Sequence, residues 1–166
     1  MSPMRPATTA NDVVERFISI VGTEYVLTSE EDRRFYSTDL CYVPGEIAEL
    51  VVQPENADEL AACVACATEA GMAVVPRGGG MSYTHGYQPE RSDSLLVDMR
   101  RMARVLEVNT DDMYVTVEAG CTWKQLYEAL SEQGVRTPYF GPLSGMYATV
   151  GGALSQNSLF LGSGIY

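Results

Sequence analysis

Three consecutive glycines, placed directly after an apolar segment, constrain this chain more than any other feature. Residues 76–82 read Pro-Arg-Gly-Gly-Gly-Met-Ser and follow the strand-like run Met72–Val75. Glycines carry no side chain that would keep a ligand from the backbone, and they adopt the positive φ angles that turn successive amide N–H groups to one side. The segment therefore predicts either a loop that binds an anion such as phosphate or a flexible glycine-rich turn.

Two polar side chains in this loop suit a phosphate. Arg77 would add a charge-assisted hydrogen bond, and Ser82 would add a hydroxyl.

Two common phosphate motifs are excluded. A P-loop requires Gly-Lys-Ser/Thr, but the one lysine of the chain, Lys124, lies far from the glycines, and a Rossmann fingerprint requires a glycine where Tyr83 stands.

The residues before the loop predict a β-α-β unit. Ala48–Val52 is a short apolar run typical of a buried strand. A helix follows, with Asn56 and Glu59 placed to cap its start and Gly71 placed to end it. Met72–Val75 then returns as a second strand. Strands joined by a crossover helix run parallel, so these two are expected to be parallel.

Residues 1–45 predict a helical leader, and residues 46–166 form the main body. In the leader, Asn11–Val21 has apolar residues at helical spacing, Glu30–Tyr36 predicts a second short helix, and Pro44-Gly45 marks a turn. In the body, further elements are predicted after the loop: strands at Leu95–Asp98, Val105–Asn109 and Tyr114–Glu118, the last two forming an antiparallel hairpin, and a helix that opens at Thr122 with Gln125 as its capping partner and ends at Gly134.

A second glycine cluster follows this helix. Pro142 and Ser144 precede Thr149–Ser155, which contains Gly151-Gly152 and resembles a loop that feeds a helix. The first amides of a helix have no partner within it, so this segment predicts a second anion site. Tyrosines near the two loops predict cofactor stacking, substrate contact or ordinary packing, whereas Trp123 is predicted to be core. These tyrosines are Tyr83, Tyr87, Tyr139, Tyr147 and Tyr166.

Three motifs in order resemble a known family. PRGGGMS, VTVEAGCTWKQLYEAL and ATVGGALSQNS with the following LGSGIY are similar to the FAD-binding domain of the superfamily that includes vanillyl-alcohol oxidase, p-cresol methylhydroxylase (PCMH), D-lactate dehydrogenases and the glycolate oxidase D subunit. The resemblance covers about Ile47 to Tyr166 and is nearest in character to the D subunit. It implies an α+β fold: the first part of a two-subdomain, PCMH-type FAD-binding domain, with a β-α-β unit followed by mainly antiparallel strands and a helix.

The resemblance also implies which residues hold the cofactor. The first loop would bind the FAD diphosphate, and the second cluster would line the flavin and the ribityl-diphosphate. Covalent members often carry a histidine after the loop glycines. Met81 stands there, so non-covalent FAD is expected, with His85 as the alternative attachment point. The implied residues are Arg77, Gly78, Gly79, Gly80, Met81, Ser82, Pro142, Ser144, Thr149, Gly151, Gly152, Ser155, Gly162 and Tyr166.

The implied function is FAD-dependent oxidation of a small hydroxy acid or alcohol, with hydride transfer to the flavin. The family's domain continues beyond the segment that matches the end of this chain, and a substrate domain follows. We therefore expect an incomplete domain that lacks the substrate site and the catalytic base, is inactive alone, and self-associates or joins a partner subunit through strands such as Leu95–Asp98 and Tyr114–Glu118. The alternative is a non-catalytic flavin- or nucleotide-binding module that another chain completes.

Composition restricts the partners and the compartment. Eleven Lys and Arg against 22 Asp and Glu give a net charge of −11, which repels nucleic acid and anionic membranes. No stretch approaches the ~18 apolar residues of a membrane span, and Met1–Arg16 lacks a secretory pattern, so a cytoplasmic protein is expected. Cys63 and Cys66 form a CxxC without further ligands, which predicts a buried helix face and no metal site.

Overall fold

The computed structural model describes residues 10–138 and 141–158. In these residues the chain forms a mixed α+β fold with two sheets, as the sequence predicts. The helices are α1 (Ala10–Val21), α2 (Glu30–Ser37), α3 (Ala57–Ala70), α4 (Trp123–Glu132) and α5 (Val150–Ser155). The strands are β1 (Val26–Leu27), β2 (Leu50–Val52), β3 (Ala73–Arg77), β4 (Ser94–Asp98), β5 (Val105–Asn109) and β6 (Tyr114–Val117).

The first sheet has the order β1-β2-β4-β3, in which β1 is antiparallel and the other neighbours are parallel. Side chains alternate between its faces. Leu50 and Val52 pack with Phe17 in the layer of α1 and α3, whereas Val51 and Leu96 pack on the side of α2. Full burial of each such side chain contributes about 1.5–3 kcal/mol. The leader thus supplies helices to both faces of this sheet.

The second sheet is the predicted hairpin of β5 and β6. It packs with α4 and α5 around a core that contains Trp123, Leu126 and Leu130. Trp123 is therefore a core residue, as predicted. The two sheets give two small subdomains, joined in sequence through the segment between β4 and β5.

The helix boundaries follow from capping contacts. Asn56 accepts a hydrogen bond from the Glu59 N–H at 2.9 Å, and Gly71 ends α3 with a φ of 77°. Thr122 accepts from the Gln125 N–H at 3.2 Å, while the Gln125 side chain accepts from the Thr122 N–H at 2.8 Å. Both predicted caps are confirmed, because such contacts lie within one turn and depend on local sequence.

The strand boundaries differ more. Strand β2 begins at Leu50, two residues later than predicted, because side chains satisfy the backbone of Ala48: its N–H donates to Ser37 Oγ at 3.0 Å and its carbonyl accepts from Arg33 Nη1 at 3.3 Å. The predicted parallel orientation of β2 and β3 is confirmed, with β4 lying between them. The expectation that Leu95–Asp98 could pair with another chain is wrong, since both edges of β4 are already paired.

Cys63 and Cys66 are buried in the core against α1, which confirms the predicted helix face. Within the described ranges, no group of three or more His, Cys, Asp or Glu side chains is arranged to hold a metal ion. In the same residues, no helix combines the length and the apolar character needed to cross a membrane.

Candidate functional site

A cleft of about 340 Å³ lies between the loop that follows β3 and the segment around α5. We call Gly78–Ser82 the glycine loop. The fold brings the two predicted glycine clusters to opposite walls of this one cleft, although about 60 residues of sequence separate them. Nine of the implied cofactor residues line it: Gly78, Gly79, Gly80, Met81, Ser82, Pro142, Ser144, Thr149 and Gly152.

Three other implied residues do not line the cleft. Gly151 faces the end of the hairpin, where an added Cβ would lie 2.6 Å from the Ala119 carbonyl oxygen. Ser155 donates its hydroxyl to the Gly151 carbonyl on an exposed helix face. Arg77 lies beneath the glycine loop and does not line the cleft, and its direct contact with a phosphate stays a prediction. Gly162 and Tyr166 lie outside the described residues.

Each glycine of the loop permits a different close approach. An added Cβ at Gly78 would lie 2.3 Å from Thr149 Oγ1, and one at Gly79 would lie 1.7 Å from the Tyr147 carbonyl oxygen. Gly80 has a φ of 73°, and its added Cβ would lie 2.2 Å from Arg77 Nη2. The glycine run predicted positive φ, but in the loop only Gly80 adopts it. Gly78 and Gly79 are required instead by their close contacts with the opposite wall.

Two carbonyls of the glycine loop accept hydrogen bonds from protein donors, and three of its amides are left available in the described part of the chain. The Gly80 carbonyl lies 2.9 Å from the Tyr87 hydroxyl, and the Ser82 carbonyl accepts from the Leu40 N–H at 3.1 Å. By contrast, the N–H groups of Gly79, Gly80 and Met81 donate to no other residue that the structure describes. Unpaired successive amides beside a cleft form an anion nest, so the loop fits a diphosphate.

The start of α5 is not the second anion site that the sequence predicts. The Val150 N–H donates to the Cys121 carbonyl at 2.8 Å, the Gly151 N–H donates to the Ala119 carbonyl at 3.0 Å, and the Gly152 N–H donates to Thr149 Oγ1 at 3.2 Å. The first two contacts dock the helix on the hairpin subdomain, the third is the N-cap of the helix, and together they use the amides that an anion would need. The prediction was wrong because sequence alone did not reveal this docking contact.

Ser82 and His85 stabilise the segment that follows the loop. Ser82 is buried, and its hydroxyl oxygen accepts from the Thr84 and Gly86 N–H groups at 3.3 and 3.2 Å. His85 is exposed, with its ring stacked on Tyr42 at 4.0 Å between centroids. Among the described residues, Met81 lines the cleft and His85 does not.

The leader contacts the glycine loop, which the sequence did not predict. Besides the Leu40 bond, the Tyr87 hydroxyl lies 3.1 Å from the Thr38 carbonyl, and Tyr87 itself lines the cleft. Asp39 accepts from the N–H groups of Tyr42 at 2.7 Å, Cys41 at 2.9 Å and, across the interface, His85 at 3.0 Å. The contacts of the leader with Ser82, His85 and Tyr87 join residues more than 40 positions apart in the sequence. No local sequence pattern could therefore predict them.

The charge of Asp39 is stabilised by these contacts. Burial raises the pKa of the carboxyl, but hydrogen bonds from the Cys41, Tyr42 and His85 N–H groups lower it more, so the pKa lies below its ordinary value. Asp39 is therefore ionised at neutral pH and holds the leader against the segment after the glycine loop. The remaining cleft residues are Tyr83, which was predicted either to stack on a cofactor or to pack, and six that the sequence did not single out: Gly141, Leu143, Ala148, Ala153, Gln156 and Ser158.

Comparisons with known proteins show a matching family and several similar proteins. The family described as FAD binding domain matches residues 48–166. The chain is 28% identical over 147 residues to glycolate oxidase subunit GlcD of Bacillus subtilis, covering 89% of this chain and 31% of the relative. It is 31% identical over 130 residues to the mitochondrial D-lactate dehydrogenase (cytochrome) of Arabidopsis thaliana, covering 76% and 22%.

Solved structures show the same fold. An alkyldihydroxyacetonephosphate synthase superposes with a TM-score of 0.82 at 22% identity, over 94% of this chain and 33% of that one. A p-cresol methylhydroxylase superposes with a TM-score of 0.78 at 17% identity, over 90% and 30%. The chain thus spans a third or less of the length of these relatives.

Proposed function

We propose that this chain, which belongs to the FAD-binding domain family, holds FAD without a covalent bond in the cleft beside the glycine loop. We propose further that it is part of a flavin-dependent oxidoreductase acting on a small hydroxy acid or alcohol. Two relatives carry glycolate and D-lactate in their names, and both compounds are small hydroxy acids.

The unpaired amides of the glycine loop carry the FAD proposal. The diphosphate is anionic, and a chain with a net charge of −11 attracts it poorly at long range. Local donors are therefore required. The N–H groups of Gly79, Gly80 and Met81 supply them at a wall of the cleft, and the absence of side chains lets a ligand approach the backbone.

FAD, when bound, would accept a hydride, and the protein would bind and orient the cofactor. The glycine loop would hold the diphosphate, Thr149 and Gly152 would form the opposite wall, and Met81 and Tyr87 would limit water at the cofactor. The described lining contains no Asp, Glu, His, Lys or Arg. We therefore propose that the groups that handle the substrate's proton and carboxylate come from other polypeptide.

Non-covalent attachment is supported by the position of His85. Its ring stacks on Tyr42, and its Nδ1 lies 2.7 Å from Gln88 Oε1, whereas Met81 occupies the cleft wall. Acid precipitation of the loaded protein tests this directly. All flavin should enter the supernatant, and flavin that stays on the pellet would contradict the proposal.

A non-catalytic flavin-binding subunit is the second candidate, and the uncharged lining of the described cleft favours it. A visible spectrum separates the two. Bound flavin absorbs near ~450 nm. Anaerobic bleaching of that band by glycolate or D-lactate, in protein that includes the additional polypeptide in cis or in trans, supports the oxidoreductase. A band that stays unbleached in that protein supports the binding subunit. A chain that takes up no flavin would overturn both.

A further inference from the structure

Arg77 is the last residue of β3, and it lies directly beneath the glycine loop. It is 5% exposed. Its guanidinium carbon lies 4.9 Å from the centre of the Tyr36 ring and 5.0 Å from the centre of the Tyr87 ring. One terminal nitrogen comes so close to Gly80 that no Cβ fits between them. The cation is thus held by aromatic faces and separated from the cleft by the loop backbone.

The charge of Arg77 has no matched carboxylate among the described residues. Its Nε has no hydrogen-bond partner, and its Nη1 makes a long 3.5 Å contact with the Gly78 carbonyl. The nearby Asp98 is engaged elsewhere: Arg100 donates to it at 2.8 and 2.9 Å, and Gln53 donates at 2.8 Å.

A buried charge without an ion pair destabilises the folded protein, and this one lies beside the proposed anion site. Burial lowers the pKa of Arg77, while Tyr87 and Asp98 oppose that effect. An arginine in a protein nevertheless stays protonated. The site therefore contains a permanent positive charge, and its position is fixed by the rings of Tyr36 and Tyr87.

We propose that Arg77 is a positioning residue for the cofactor diphosphate: a buried cation that supports Gly80 from below and whose charge the anion on the other face of the loop compensates. The inference rests on the proposed FAD site. Electrostatic attraction across one layer of backbone is weakly screened, so Arg77 acts without lining the cleft. Because Tyr36 belongs to the leader, the leader helps to hold Arg77 in this position.

Arg101 provides a matched control. Its guanidinium also covers an aromatic ring, that of Tyr25 at 3.3 Å, but it pairs with Glu55 at 3.0 Å and is not among the atoms nearest to the loop glycines. Removing its charge should disturb stacking and an ion pair without affecting a diphosphate at the loop.

The test is the dissociation constant for FAD, measured by flavin fluorescence on the whole chain. Arg77→Met removes the charge and keeps a flexible apolar side chain, and it should weaken binding about tenfold or more. Arg77→Lys restores the charge and should recover most of that loss, while Arg101→Met should stay within about twofold of the wild type. An Arg77→Met protein that binds like Arg101→Met would overturn the inference, as would an Arg77→Lys protein as weak as Arg77→Met.

A measurement on the wild type keeps the inference testable if the Arg77 variants do not fold. Inorganic pyrophosphate should raise the melting temperature of the flavin-free chain more than chloride does at equal ionic strength, because it compensates the buried charge. Equal melting temperatures would overturn the inference. A wild-type chain that binds no FAD would overturn the proposed function itself, and this inference with it.

Discussion

The three glycines of the loop differ in what they require of their neighbours. Gly78 and Gly79 are needed for contact with the opposite wall of the cleft, whereas Gly80 is needed for its positive φ and for the space above Arg77. The sequence suggested two reasons shared by all three, ligand access to the backbone and the freedom of glycine to take positive φ. Positive φ applies to one residue of the run, because the close approach of Thr149 and Tyr147 depends on the tertiary fold.

Gly79→Val should abolish FAD binding. Its side chain would meet the Tyr147 carbonyl oxygen, which lies 1.7 Å from the position of a Cβ, so the loop and the opposite wall must separate. The helices lie elsewhere, and the far-ultraviolet circular dichroism signal should be nearly unchanged. Gly45→Val is the control, since no atom lies within 4 Å of a Cβ there. Wild-type FAD affinity in the Gly79 variant would mean that the glycine loop is only a turn.

The cysteines should differ in reactivity. Burial raises the pKa of the Cys63 thiol to about 12, and burial also raises the pKa of Cys66 and of Cys121. Cys41 is exposed. The thiolate is the reactive form, so a disulfide reagent at pH 8 should modify Cys41 at once and the other three only upon unfolding. Fast reaction of a second thiol in the native protein would contradict the burial of these three cysteines.

Helices and strands were predictable to different degrees. The capping residues of α3 and α4 lie within one turn of the helix start, so the start of each helix could be predicted from local sequence. Strand β1 was not predicted, because two residues carry no pattern and their pairing with β2 is set by the tertiary fold. The contact between the leader and the glycine loop was missed for the same reason. The cleft could be predicted from the glycine motifs. The contacts of the leader and of Arg77 with the glycine loop could not.

Asp39 joins the leader to the segment after the loop, and its contribution to stability should depend on pH. Hydrogen bonds keep its folded pKa below the ordinary value of 3.8, so the stabilisation is present above that pH and is lost as the pH falls through the folded pKa. Asp39→Asn should lower the melting temperature at pH 7, because its NH₂ group or its single oxygen cannot satisfy all three N–H donors.

The melting-temperature difference between wild type and Asp39→Asn should shrink as the pH drops below 3.8. Asp111→Asn, in the exposed tip of the hairpin, serves as the control and should have little effect. An equal difference at pH 7 and pH 3 would show that Asp39 acts by shape and not by charge.

Large apolar side chains are exposed near the cleft and the adjacent turn. Leu143 is 97% exposed, Leu154 72%, Met146 64% and Tyr147 62%. Soluble proteins usually cover a cluster of this kind, and the relatives are about three or more times as long as this chain. We propose that additional polypeptide completes this side of the cofactor site, supplied either in the same chain or by a partner.

The chain alone should accordingly self-associate or bind FAD weakly. Light scattering across a range of concentrations should show a mass that rises above 18.1 kDa, and Leu143→Ser with Met146→Ser should reduce this rise. Leu106→Ser, at an exposed apolar residue of the hairpin, is the matched control. A monodisperse monomer with tight flavin binding would show that these residues form a finished domain.

A calorimetric titration of the wild-type chain with FAD, alone and in the presence of inorganic pyrophosphate, tests the central claim that the glycine loop binds the cofactor diphosphate. We expect one FAD to bind per chain, with an apparent dissociation constant that rises as pyrophosphate is added. An FAD affinity that pyrophosphate leaves unchanged at constant ionic strength would contradict the claim.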